Sequence, residues 1–215
     1  IGYVSQDAFL FDGTVAENSE AEASTAPLLT IASVVDNRTF DRAGLELGHF
    51  FQYWMPVYDT LLVLAPDGTV EPNMATEWFY DDTRTVLTLS QRDDITFTDG
   101  EVFDAEAVKA NIEYLRDGGG PFANMARFVT DVVVVDDTTV ELQLERPDPA
   151  LVPRLGVVLG AMASPASLGD PAAATEPVGS GAYLLDAGAT TPGTEYVYTR
   201  NPDYWNPEAY AYDSI

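Results

Sequence analysis

The side chains able to do chemistry in this chain are almost all carboxylates: 35 Asp and Glu stand against ten Lys and Arg, one His and no Cys. Adjacent acids occur at Asp81-Asp82, Asp93-Asp94 and Asp136-Asp137. Paired carboxylates can share a proton in acid–base catalysis or ligate calcium. Neighbouring acids in turns, however, point apart into solvent, and so acidic a chain acquires such pairs by composition alone. Neither a D-x-D-x-D-G calcium loop nor a G-x-S-x-G nucleophile elbow occurs. His49 is the only histidine, and a lone imidazole is read here as structural rather than as a base or ligand. The absence of cysteine excludes disulfides, zinc-thiolate sites, iron–sulfur clusters and a thiol nucleophile. One His and no Cys also make a poor donor set for nickel. These residues point away from an enzyme and from any metal or cofactor, and toward recognition.

The elements that would carry such recognition follow from composition and pattern. A formal charge of −25 argues against nucleic acid, whose phosphates need cations, and against anchoring on anionic lipid. With 46% hydrophobic and 11% aromatic residues the chain can nevertheless bury a core. Nine of the ten cations are arginines and only Lys109 is a lysine, a bias that fits high-GC codon usage or adaptation to salt. No run approaches the roughly 18 apolar residues of a membrane span.

The mostly apolar run 28–35 suggests a buried strand, broken by turn chemistry at Asp36-Asn37-Arg38-Thr39. Asp41 is placed to cap a helix carrying Leu47, Phe50, Phe51, Trp54 and Tyr58 on one face, a stripe read as core. Strands are expected at 61–64 and from Val70, separated by the Pro66-Asp67-Gly68 turn, and again at 85–90 and 95–97. Asp104 should cap a helix with Val108, Ile112 and Leu115 inside, ended by Gly118-Gly119-Gly120. The run 132–144 reads as a β-hairpin whose second strand turns Val140, Leu142 and Leu144 inward. Further strands are expected at 178–184 and 195–199, followed by a tight turn over 201–205. Short strands mixed with a few helices define an α/β (mixed α+β) fold.

Residues 1–18, IGYVSQDAFLFDGTVAEN, resemble the Q-loop segment of ABC-transporter ATPases, with Gln6 at the position that touches the nucleotide's metal in that family. A complete ATPase also needs G-x-x-x-x-G-K-[ST], and Lys109 lies in Ala107-Val108-Lys109-Ala110, where it cannot serve. The segment is therefore expected to be a fusion or gene-model join. Residues 19–27, small, acidic and proline-ended, read as a linker. Both ends read as cuts, and the chain is expected to be a fragment.

From residue 28 onward the sequence resembles the extracytoplasmic solute-binding proteins of family 5, the peptide, dipeptide, nickel and oligosaccharide receptors of ABC importers. The resemblance rests on Val57-Tyr58-Asp59-Thr60-Leu61-Leu62 and on Gly68-Thr69-Val70-Glu71-Pro72-Asn73-Met74-Ala75-Thr76-Glu77-Trp78. It continues through Gln91-Arg92-Asp93-Asp94-Ile95-Thr96-Phe97-Thr98-Asp99-Gly100, for the family's L-R-x-G-V-x-F-x-D-G, and Ala105-Glu106-Ala107-Val108, for the family's A-x-D-V, with alanine at the usual aspartate. Pro177-Val178-Gly179-Ser180-Gly181-Ala182-Tyr183 and Arg200-Asn201-Pro202-Asp203-Tyr204-Trp205 complete it. The resemblance implies an incomplete periplasmic-binding-protein-like lobe with a β-hairpin-rich side subdomain: first lobe over 28–65, side subdomain over 66–176, first lobe again over 177–215. It implies binding of an oligopeptide or other small solute and delivery to an ABC permease, in the periplasm or outside the cell, with membrane association in the full-length protein. Family ligands take main-chain hydrogen bonds like an added strand. Carried over, Val35, Asp36 and Asn37 and the Gly179-Ser180-Gly181 turn should face the cleft, and Phe122 matches a pocket-lining aromatic. One lobe cannot enclose a ligand, so weak or no binding is expected of this chain alone. The competing readings are an inactive fusion hybrid without autonomous binding and a secreted hydrolase.

Overall fold

The computed structural model describes residues 28–207 and 212–215, so the ATPase-like leader over 1–18 and the linker over 19–27 lie outside the described residues. Residues 28–35 do not form the expected buried strand. Leu28 makes one isolated parallel bridge with Ser214, and Val34 is 77% exposed. A strand needs a ladder of partners, and Ser214 offers this segment a single rung.

The helix expected after Asp41 is broken into pieces. Asp41 Oδ2 accepts from Gly44 N at 3.1 Å and so caps only the 3-10 turn Arg42–Gly44. Gly48 takes φ +70°, a conformation that interrupts any helix, and the short α1 (Phe51–Trp54) begins after it. Trp54 and Tyr58 are nonetheless buried, and Leu47 and Phe51 pack against the core, as the aromatic stripe required.

The antiparallel pair β1 (Leu62–Leu64) and β2 (Val70–Pro72) closes through Gly68 at φ +87°. Next come β3 (Ala75–Tyr80), β4 (Val86–Gln91), α2 (Ala105–Asp117), β5 (Val129–Asp136) and β6 (Thr139–Leu144). The four strands form one antiparallel sheet in the order β3-β4-β6-β5. Register pairs Leu87 with Leu142 and Leu89 with Val140, which puts the buried residues of β4 and β6 on one face. Asp104 caps α2 as expected, its Oδ1 accepting from Ala107 N at 2.8 Å, and Val108, Ile112 and Leu115 are fully buried. Each such side chain contributes about 1.5–3 kcal/mol on burial.

Residues 95–97 form a single bridge, Thr96 to Val102, with the turn between them at Gly100. The short α3 (Leu151–Arg154) and a buried apolar stretch through Met162 follow. The last pair, β7 (Tyr183–Leu185) and β8 (Tyr198–Arg200), is shorter than the pattern predicts. Residues 178–182 do not extend it because their backbone bonds go elsewhere, Gly181 N to Val57 O among them. Buried hydrophobic side chains from Phe40 to Tyr204 belong to one cluster.

Candidate functional site

Three of the sequence runs that carry the resemblance meet at one buried carboxylate. Asp59, 6% exposed, accepts from Tyr204 OH at 3.0 Å on Oδ1, and from Trp205 Nε1 at 2.9 Å and Ser180 Oγ at 3.1 Å on Oδ2. The main chain ties the same pieces together. Gly181 N donates to Val57 O at 3.1 Å and Tyr183 N to Pro56 O at 2.9 Å, while Asn201 Nδ2 donates to Gly181 O at 3.0 Å. The glycines permit this close approach: a Cβ at Gly179 would stand 1.9 Å from Val57 O, and one at Gly181 2.5 Å from Pro56 O. The F-x-D-G turn joins the knot too, since Thr98 N donates to Gly179 O at 2.9 Å and Ser164 Oγ to Asp99 Oδ2 at 2.5 Å. Burial pushes the Asp59 carboxyl up to about 6, against the opposing pull of its three donors. Arg92 stacks over the Trp205 ring, 4.5 Å from its centroid, and pairs with Asp94.

The other expected ligand-facing residues lie in two further places. Val35 O accepts from Tyr53 OH at 2.6 Å. Asp36 Oδ1 accepts from Tyr196 OH at 2.7 Å and Gly193 N at 3.0 Å. Tyr196 meets Tyr53 edge-on at 4.9 Å and Phe40 at 6.2 Å, so an aromatic platform underlies this segment. Burial and the neighbouring Asp36 raise the Tyr196 hydroxyl to about 12, which keeps it a proton donor. Asn37 is half-buried. Phe122, also half-buried, packs on the core in the loop after α2, which is held close because a Cβ at Gly120 would lie 1.8 Å from Ala43 O. Val35 and the Gly179-Ser180-Gly181 turn are connected through one short piece of chain. Tyr53 holds Val35 O, and Val57, four residues on, receives Gly181 N.

Sequence reasoning did not single out Asp59, Tyr53 or Tyr196. Asp59 stands inside the quoted Val57-Tyr58-Asp59-Thr60-Leu61-Leu62 run, and a lone acid in a stretch with so few other polar groups is a legible sign of a buried acceptor. A shallow depression of about 370 Å³ borders the same region, lined by Ser167, Asp170, Ala173, Glu176, Val178 and Leu185. Among the described residues no group of three His, Cys, Asp or Glu is placed to hold a metal ion. No helix among them is long and apolar enough to cross a membrane.

The model of the bacterial extracellular solute-binding proteins, family 5 Middle, matches residues 69–215. The chain belongs to that family. Its similarity to the glutathione-binding protein GsiB of Escherichia coli strain K12 is 31% identity over 163 residues, or 74% of this chain and 31% of GsiB. This family 5 chain thus spans about a third of the length of the curated relatives it matches. Among solved structures, NikA of Brucella suis in complex with Fe(III)-EDTA superposes with a TM-score of 0.74 at 29% identity, covering 85% of this chain and 37% of NikA. OppA of Haemophilus influenzae, solved with the peptide RPPGFSPFR, gives the same TM-score of 0.74 at 20% identity over 84% of this chain and 39% of OppA, a likeness of fold. These superpositions confirm the periplasmic-binding-protein-like α/β lobe expected from the sequence, present as a part of the larger fold.

Proposed function

We propose that this chain is the solute-binding part of an extracytoplasmic ABC-importer receptor, that its solute is an oligopeptide, and that it works outside the cytoplasmic membrane with a permease partner. The observation that carries the reading is the segment 31–37. It is largely exposed, bends at Val34 and Val35 where Ser33 Oγ bonds Val35, lies outside every strand, and rests on the Tyr53–Tyr196 platform. Such a segment can take a peptide main chain as an added strand. In this reading Val35, Asp36 and Asn37 line the cleft, Phe122 packs against a ligand side chain, and the Gly179-Ser180-Gly181 turn backs the site through its hold on Val57. The names of relatives support a peptide: GsiB is glutathione-binding, glutathione being a tripeptide, and OppA was solved with a nonapeptide. Nothing in the residue set suggests catalysis.

One lobe covers too little of a ligand to hold it tightly. Isothermal titration of the chain with a tripeptide mixture is therefore expected to give affinity weaker than micromolar. Micromolar binding by these 215 residues alone would overturn the division of the cleft between two lobes.

A further inference from the structure

Four of the ten basic residues converge on the short run 125–130. Arg116 Nη1 donates to Thr130 O at 3.4 Å, and Arg154 Nη1 to Met125 O at 3.3 Å. The guanidinium carbons of Arg127 and Arg146 lie 4.5 and 4.0 Å from the centroid of one ring, that of Phe128. Two of these cations are satisfied by carboxylates: Arg116 pairs with Asp117 at 2.8 Å and Arg154 with Asp148 at 2.7 Å. Arg127 and Arg146 make no salt bridge among the described residues, and both are exposed.

This arrangement runs against the composition. With 35 carboxylates in the chain, an exposed arginine has many potential partners, yet the two that share a ring have none within salt-bridge distance. Their separation is less than the sum of the two centroid distances. That is comparable to the screening length of about 8 Å at physiological ionic strength, so they repel one another. Stacking on Phe128 returns about 0.5–1 kcal/mol per guanidinium at an exposed site and fixes both in place. Each planar fork keeps N–H donors that match two oxygens of a tetrahedral oxyanion.

We propose that Arg127 and Arg146, held by Phe128, form a binding site for a phosphate-type oxyanion. Arg116 and Arg154, anchored along the same run, are neutralised by Asp117 and Asp148, which leaves Arg127 and Arg146 as the cations of the site. The rest of the surface repels anions, so the site favours a compact group over an extended polyanion. A phosphate group could come from a free phosphate or phosphomonoester, or from a lipid headgroup.

The test has two arms. The chain is titrated calorimetrically with sodium phosphate and with sodium chloride at matched ionic strength, and floated with phosphatidic acid vesicles against phosphatidylcholine vesicles. Saturable phosphate binding is expected, weakened at least tenfold in the Arg127→Gln/Arg146→Gln double variant, whose circular dichroism should be unchanged. Flotation on phosphatidic acid without binding of free phosphate, lost in the same variant, supports the same site with a lipid source. Phosphate bound no better than chloride together with no vesicle binding overturns the proposal, as does undiminished binding by the double variant.

Discussion

Replacing Asp59 by Asn keeps the shape of the central knot and changes only its hydrogen bonding and charge. Two oxygens accept from three donors, Tyr204 OH, Trp205 Nε1 and Ser180 Oγ. An amide offers one oxygen, and its NH2 group would confront at least one of those donors. Leaving one buried donor unpaired costs about 1–3 kcal/mol. The pH dependence adds a second signature. The folded-state value of about 6 lies above the ordinary aspartate value of 3.8, so folding favours the protonated acid. Stability from this group is complete below about pH 4 and is lost as pH rises through about 6. The shift corresponds to about 3 kcal/mol at neutral pH. The asparagine variant has no such ionisation, so its deficit relative to the parent should shrink by about 2 kcal/mol between pH 4.5 and pH 7.5. Urea unfolding of both proteins across that range, followed by tryptophan fluorescence, measures the difference. A deficit that grows with pH would refute the reasoning, because it would mean that the donors hold Asp59 below the ordinary carboxylate range. Equal stability at every pH would show that the knot does not support the fold.

Three further substitutions probe separate parts of the structure. Gly179→Ala would force a Cβ to within 1.9 Å of Val57 O, and a thermal melt should show a loss of at least about 2 kcal/mol or failure to fold. Asp104→Ala removes the cap on α2 and should cost about 1 kcal/mol in urea unfolding. Arg42 is 1% exposed and bonded to Leu159 O, with Nε and Nη1 lacking partners, and burial lowers it to about 10. Arg42→Met should therefore be neutral or stabilising by about 1–4 kcal/mol, as buried charges replaced by apolar groups often are; a loss in the urea midpoint would contradict this.

What the sequence made legible was local. Asp104, the apolar side chains spaced four and three residues apart and the terminal glycines specify α2 within one stretch of chain, and strict alternation specifies β6. The segment 28–35 was not legible as it stands, because its apolar residues have a strand's composition but strand formation depends on a neighbour's backbone. The single helix expected after Asp41 failed on Gly44 and Gly48. The first would bring a Cβ within 2.6 Å of Thr39 Cγ2 and the second takes positive φ, and neither constraint shows in an apolar period. The candidate site divides the same way. Glycines at 179 and 181 announce that something comes close, but only the fold shows Val57 and Pro56 there. The convergence of Ser180, Tyr204 and Trp205 on Asp59 spans sequence separations of 121 to 146 residues and has no local signature.

In the proposed function the exposed segment 31–37 and its tyrosine platform receive a peptide main chain. Titration of the 15N-labelled chain with an unlabelled tripeptide at millimolar concentration, followed by amide chemical shifts, tests it directly. Shifts concentrated at Val34, Val35, Asp36 and Asn37, with smaller ones at Gly193 and Tyr196, are the predicted result. No shifts at all, or shifts confined to the depression around Ser167 and Glu176, would contradict it.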